Sequence, residues 1–160
     1  MRLSIAAIGR LKDHGEIELT ARYQKRIDQA GRALALGPLL ILELPESRHA
    51  DPALRKSDEA MRLASAIARA DRRVVLDEGG KQFTSQAFAD LLRKDRDDGA
   101  REMAFLIGGP DGHSVDIRNS ADLVLSLSAM TLPHGLARAL LTEQIYRALT
   151  IISGHPYHRA

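Results

Sequence analysis

The sequence predicts an α/β fold in which a parallel sheet is covered by helices on both faces. Short, nearly continuous apolar runs recur along the chain, as in Leu39–Leu44 and Met103–Ile107. Stretches with apolar residues at helical spacing separate most of them. Strands that are apolar throughout, rather than alternating, belong to sheets buried on both sides. Their alternation with helices makes such a sheet parallel.

Each element has its own signal. Leu3–Gly9 is a short apolar run ending in glycine, a first strand. From about Glu16 to Ala30 the chain is helical, with Leu19, Tyr23 and Ile27 on one face. Gly37-Pro38 breaks the chain before the strand Leu39–Leu44, and Pro45 to Asp51 reads as a polar loop. Asp51 caps a helix whose first position is Pro52. That helix runs to about Arg69, with Ala60, Leu63, Ala64 and Ile67 on its apolar stripe. Arg73–Leu76 is a third strand, closed by the loop Asp77–Lys81. Thr84 or Ser85 caps a helix that buries Phe88, Leu91 and Leu92. Met103–Ile107 and Leu123–Leu127 are the fourth and fifth strands. A last helix covers about Gly135 to Ile152, with Ala137, Leu140, Leu141, Ile145, Ala148, Leu149 and Ile152 on one side and Arg138, Glu143 and Arg147 on the other. No repeat or linker interrupts this order.

Composition narrows the function classes. A chain of 160 residues is read as one domain, residues 1–160, burying roughly 70% of its unfolded surface. It has no cysteine, which excludes a disulfide framework, thiolate metal sites and a cysteine nucleophile. No apolar run reaches the roughly 20 residues of a membrane span, and the N-terminus does not have the layout of a signal peptide. The expectation is a cytoplasmic protein with no membrane and no metal among its partners. The net charge of +2 divides unevenly, with +4 in residues 1–76 and −2 in residues 77–160. Arginine outnumbers lysine 18 to 5, which suits phosphate contacts and equally suits an arginine-biased genome. Composition therefore permits RNA binding without establishing it.

The unusual chemistry lies in the last third. Three segments follow strands directly: Asp77–Lys81, Gly108–Gly112 and Ser128–His134. In open α/β sheets the rim at the strands' carboxyl ends is where ligands sit. Gly108-Gly-Pro-Asp-Gly112 has neither the Lys-Ser/Thr of a phosphate loop nor dinucleotide spacing. It is either a tight turn needing positive φ or a place where bare backbone meets a ligand. Asp77 and Asp111 are read first as structural turn residues. Ser126-Leu-Ser-Ala-Met-Thr-Leu-Pro-His134 sets hydroxyls and small residues ahead of a stiffening proline. It is either a pocket wall or a plain strand-to-helix connection capped by Thr131. No nucleophile elbow is present. His14, His49 and His113 are isolated and read as surface residues, and Pro156 between His155 and His158 disfavours a metal pair. The tail His155-Pro-Tyr-His-Arg159 is either a loose chain end or a set of groups for base stacking and phosphate contact.

Taken together, Leu106-IGGPDG-112, Ser126-LSAMTLPH-134, Glu143-QIYRA-148 and His155-PYHR-159 closely resemble the SPOUT methyltransferases. Within that class the match is to the ribosomal large-subunit RNA pseudouridine N3-methyltransferases. The resemblance covers essentially the whole chain, strongest after residue 103 and weak from 10 to 70. Asp111 stands where many relatives carry Glu, and the N-terminal half is somewhat long.

The resemblance implies an α/β fold with a C-terminal trefoil knot and a homodimer with S-adenosylmethionine bound at the knot. Carried over by motif, the cofactor contacts are Leu76, Gly109, Ser128, Ala129, Met130, Thr131, Leu132 and Pro133. The implied substrate is ribosomal RNA in the ribosome, methylated at N3 of a pseudouridine. Tail residues Tyr157, His158 and Arg159 are the implied catalytic groups. A neutral histidine accepts the N3 proton, arginine steadies charge on the flanking carbonyl oxygens, and tyrosine stacks or hydrogen-bonds. Arg138 and Arg147 are candidates for substrate or interface contacts, with helix solubility as the plainer reading. A methyltransferase acting on transfer RNA, a non-catalytic RNA-binding dimer and an α/β nucleotide hydrolase are the competing expectations. The last is disfavoured because phosphate-loop, nucleophile and metal-ligand patterns are all missing.

Overall fold

The computed structural model describes residues 1–158, so Arg159 lies outside the described residues. Five strands form one sheet: β1 (Arg2–Ile8), β2 (Leu39–Leu44), β3 (Arg72–Gln82), β4 (Glu102–Ile107) and β5 (Leu123–Ser126). Their order is β2-β1-β4-β3-β5, and every pairing is parallel. The central strands β1 and β4 are almost wholly buried, which is why their sequences show no alternation.

The helices divide between the two faces. Helices α1 (His14–Gly31), α3 (Ser85–Asp97) and α5 (His134–Ser153) lie on one side, where Ile27, Phe88, Leu92, Leu141, Ile145 and Leu149 meet Leu3, Ile5 and Phe105. On the other side, α2 (Pro52–Ala66) and the short α4 (Val115–Asn119) supply Leu63 and Ile117, which pack with Ile67 on Ala6, Ile8 and Leu106. The helix starts follow the capping logic. Asp13, Asp51, Thr84 and Ser114 each accept a backbone N–H from the first turn of the following helix.

Four local expectations are corrected. The third strand does not stop at Leu76. It continues to Gln82 after a register shift, pairing Lys81 and Gln82 with Leu125 and Ser126. Gly80 makes this possible, because a Cβ there would lie 2.7 Å from the Val124 carbonyl oxygen. The stripe of α2 is rotated from the expected one: Ala64 is exposed and Glu59 is buried. Arg138 is the largest fully buried side chain, at 2% exposure, and does not face solvent. Its guanidinium reaches Glu43 Oε1 at 2.6 Å and the Gly9 carbonyl at 3.0 Å, tying the first turns of α5 to the ends of β1 and β2. Finally, α5 begins after Pro133 without a side-chain cap, because the Thr131 hydroxyl donates to Glu78.

Candidate active site

The carboxyl ends of β3, β4 and β5 surround a cavity of about 460 Å³. Its three walls are the continuation of β3 past Leu76, the turn Gly108–Gly112 after β4, and the loop 127–134 between β5 and α5. Leu76, Ile107, Leu125 and Leu127 make the floor apolar. The turn is closed by the Gly112 N–H donating to the Gly109 carbonyl at 2.9 Å. A Cβ at Gly108 would lie 3.1 Å from the Gly112 carbonyl carbon, and one at Gly109 would lie 2.8 Å from Glu59 Oε2. Gly112 has φ +77, a left-handed conformation that glycine adopts without strain.

The loop after β5 is held by its own hydroxyls. Ser126 Oγ donates to the Ser128 carbonyl at 2.8 Å, and Ser128 Oγ accepts the Met130 N–H at 2.9 Å. Thr131 Oγ1 donates to Glu78 Oε2 at 2.8 Å, joining this loop to the β3 wall across the cavity mouth. Of the expected cofactor residues, Leu76, Gly109, Ser128, Met130, Thr131 and Leu132 line the cavity. Ala129 and Pro133 lie in the same loop but do not line it.

Asp77 and Asp111 are paired with arginines, not with one another. Asp77 Oδ1 accepts the Gly79 N–H at 2.9 Å, and its Oδ2 lies 3.5 Å from Arg118. Asp111 is bonded by Arg55 at 2.7 Å, which holds its carboxyl below the usual carboxylate range. His113 departs from its expected surface position. It lines the cavity, and both ring nitrogens are sealed from solvent with no hydrogen-bond partner among the described residues. Burial pushes its pKa down, against smaller upward pulls from Asp77 and from the backbone at Leu106 and Leu76. Sequence reasoning also missed Lys56, Arg118 and Ala137 in the wall. Lys56 comes from the distant α2, whereas Arg118 and Ala137 sit on the helices that follow the glycine turn and the serine loop, with no motif to mark them.

The tail lies elsewhere. Gly154, with φ +69, ends α5, and the chain folds back so that Tyr157 packs on the last turns of the helix. The Tyr157 hydroxyl donates to Glu143 Oε1 at 3.0 Å and lies 2.9 Å from the Tyr23 hydroxyl. Its ring meets Tyr146 edge-on at 4.8 Å, and the Arg147 guanidinium sits 5.0 Å over it. Burial first, then the bonds to Tyr23 and Glu143, raise the pKa of the phenol. Arg147 is further held by Glu143 at 2.5 Å. His158 follows directly, with Nδ1 buried and unpartnered among the described residues. The cavity touches His134 and Ala137 at the start of α5, whereas Tyr157 of the tail lies alongside Glu143, Tyr146 and Arg147 further along the helix. Along the helix axis only about 9 Å, at 1.5 Å per residue, lies between Ala137 and Glu143, where the Tyr157 hydroxyl is bonded.

Comparisons with known proteins agree with this architecture. A family profile described as "Predicted SPOUT methyltransferase" matches residues 1–158. A protein of Brucella anthropi named "Ribosomal RNA large subunit methyltransferase H" is 48% identical over 160 residues, covering all of both chains. One of the same name from Allorhizobium ampelinum is also 48% identical over the full length of both. Among solved structures, a probable methyltransferase from Bordetella pertussis Tohama I superposes with a TM-score of 0.58 at 18% identity. It covers 92% of this chain and 94% of that one, a likeness of fold. A profile match over every described residue, together with end-to-end relatives at nearly half identity, places this chain in the SPOUT methyltransferase family.

Proposed function

We propose that this chain uses S-adenosylmethionine to methylate N3 of a pseudouridine in large-subunit ribosomal RNA. It works in the cytoplasm as a homodimer on the assembled ribosome. The observation that carries the substrate is the end-to-end likeness to relatives named for methylation of large-subunit ribosomal RNA. The C-terminal segment takes the trefoil-knotted path of the family.

The residues present fit the cofactor. A volume of about 460 Å³ lies within the range of small-molecule sites. Leu76, Ile107, Leu125 and Leu127 give an adenine an apolar surface, and the glycine turn exposes backbone N–H and C=O groups beside it. When bound, the cofactor supplies a methyl group activated by its sulfonium. The protein's share is placement and proton handling. Gly109 and the loop 128–133 hold the donor in one orientation, and the Thr131–Glu78 bond steadies the mouth.

The tail supplies the other half. His158 takes the N3 proton, and Arg159 steadies the negative charge that develops on the base's carbonyl oxygens. Tyr157, bonded to Glu143 and Tyr23, fixes where those two begin. Tyr157 turns back onto Glu143 and Tyr23 and no described tail residue lines its own chain's cavity, so in the dimer each cavity is completed by the partner's tail.

Calorimetry with S-adenosylmethionine and S-adenosylhomocysteine, followed by mapping of methylation on ribosomes and on a free stem-loop, tests this reading. Binding of both cofactors and methylation confined to ribosomes is the expected result. Failure to bind either cofactor would overturn it, and efficient turnover of the short stem-loop would remove the ribosome from the proposal.

A further inference from the structure

The turn that walls the cavity is supported from behind by two charged residues of α2 that do not line the cavity themselves. Arg55 and Glu59 stand one helical turn apart, on one face of the helix. The Arg55 guanidinium forks onto Asp111, with Nε 2.7 Å from Oδ2 and Nη2 3.2 Å from Oδ1. Its remaining nitrogen, Nη1, donates to the carbonyls of His49 and Ala50, each at 2.9 Å. All three nitrogens are thus engaged, joining the turn, the loop 45–51 and the helix.

Glu59 makes a second tie. It is 4% exposed, and its Oε1 accepts the Ser47 N–H at 3.0 Å, again from the loop 45–51. Its Oε2 is buried, has no hydrogen-bond partner among the described residues, and lies directly behind Gly109. The space is full there, since a Cβ on Gly109 would sit 2.8 Å from that oxygen and 3.1 Å from Ile8 Cγ2. Burying a carboxylate with an unmatched oxygen is costly, and here that oxygen backs the glycine turn.

We propose that Arg55 and Glu59 are positioning residues for methyl transfer, clamping the Gly108–Gly112 turn from α2 in the shape that receives the cofactor. This rests on the methyltransferase reading of the cavity. The clamp predicts that damage to it weakens cofactor binding while leaving recognition of the ribosome intact.

The experiment uses the full-length dimer and four variants: Arg55→Ala, Arg55→Lys, Glu59→Gln and Asp111→Asn. Asp111→Asn removes the clamp's partner at a site a quarter exposed, so it probes the tie with little burden on folding. Asp95→Asn is the control. Asp95 is a buried carboxylate paired with Arg72 at the opposite rim, so its loss lowers the melting temperature without approaching the turn. S-adenosylmethionine Kd, KM for ribosomes and melting temperature are measured for each.

The expected result is a cofactor Kd raised roughly tenfold in Arg55→Ala, Glu59→Gln and Asp111→Asn. Arg55→Lys recovers only part of the loss, because an ammonium cannot fork onto Asp111. The KM for ribosomes stays within about twofold throughout. Cofactor affinity within about twofold of wild type in both Arg55→Ala and Asp111→Asn would overturn the proposal alone. So would a Kd that moves as far in Asp95→Asn. A wild-type dimer that does not bind S-adenosylmethionine overturns the reading of the cavity and this proposal with it.

Discussion

His113 has both ring nitrogens enclosed beside the cavity, facing Asp77 and Arg118. Burial holds its pKa below the ordinary value of 6.5, so folding favours the neutral ring. Once the pH falls below 6.5 the unfolded chain takes up a proton that the folded chain resists. Stability is therefore lost as pH drops from 6.5 toward the folded-state pKa, and levels off below it. The melting temperature should fall across that window, and His113→Leu should flatten the fall. An identical pH profile in the variant would show that another group is responsible. Asp111 has the same sign in a lower pH window. Its carboxyl is held low by Arg55, so that contribution persists through neutral pH and is lost as the pH falls through the lowered folded-state pKa.

The elements differ in how openly they were written in the sequence. The strand Leu39–Leu44 is found with the same ends that its apolar run and the preceding Gly37-Pro38 suggest. The strands at the sheet centre, and the capped starts at Asp51 and Thr84, are equally legible because the signal is local. The polar continuation of β3 is not, since only its fit against β5 makes Asp77–Gln82 a strand. Charged residues that turn inward are hidden for a related reason. Arg138 finds Glu43 95 positions away and Arg55 finds Asp111 56 away, and no pattern within a helix announces such partners. The cavity's glycine turn and serine loop were legible as motifs, whereas His113 and Lys56 were not.

Helix α5 also sets a prediction of its own. Tyr157→Phe deletes the hydroxyl that links Glu143 and Tyr23 while keeping the ring against Tyr146. The expected loss is roughly 1 kcal/mol of stability, read by denaturant titration. The kcat on ribosomes should fall as His158 loses its fixed starting point, with cofactor Kd unchanged. A weakened cofactor Kd would place Tyr157 in the other half of the site.

At the scale of the whole molecule, the proposed dimer completes each cavity with the partner's tail, since no described tail residue lines its own chain's cavity. Two inactive variants should therefore restore one another. Gly109→Val fills the space against Glu59 and spoils the cavity, whereas His158→Ala spoils only the tail. In a re-equilibrated mixture, each mixed dimer pairs the sound cavity of one chain with the sound tail of the other. Activity should return to about a quarter of wild type, for half the dimers with one working site of two. A mixture as inactive as its parents would mean that each chain uses its own tail.

The strand order β2-β1-β4-β3-β5 also has a consequence in time. β4, which lies between β1 and β3, does not leave the ribosome until more than a hundred residues have been made. Until then β1 and β3 have no strand between them. The α1 face stays uncovered still longer, waiting for α5. A growing chain must therefore keep exposed apolar strands soluble for most of its synthesis, and the long-range pairing makes the last step slow. The enzyme that we propose finishes ribosomes would then be among the nascent chains most dependent on shelter as they emerge from one.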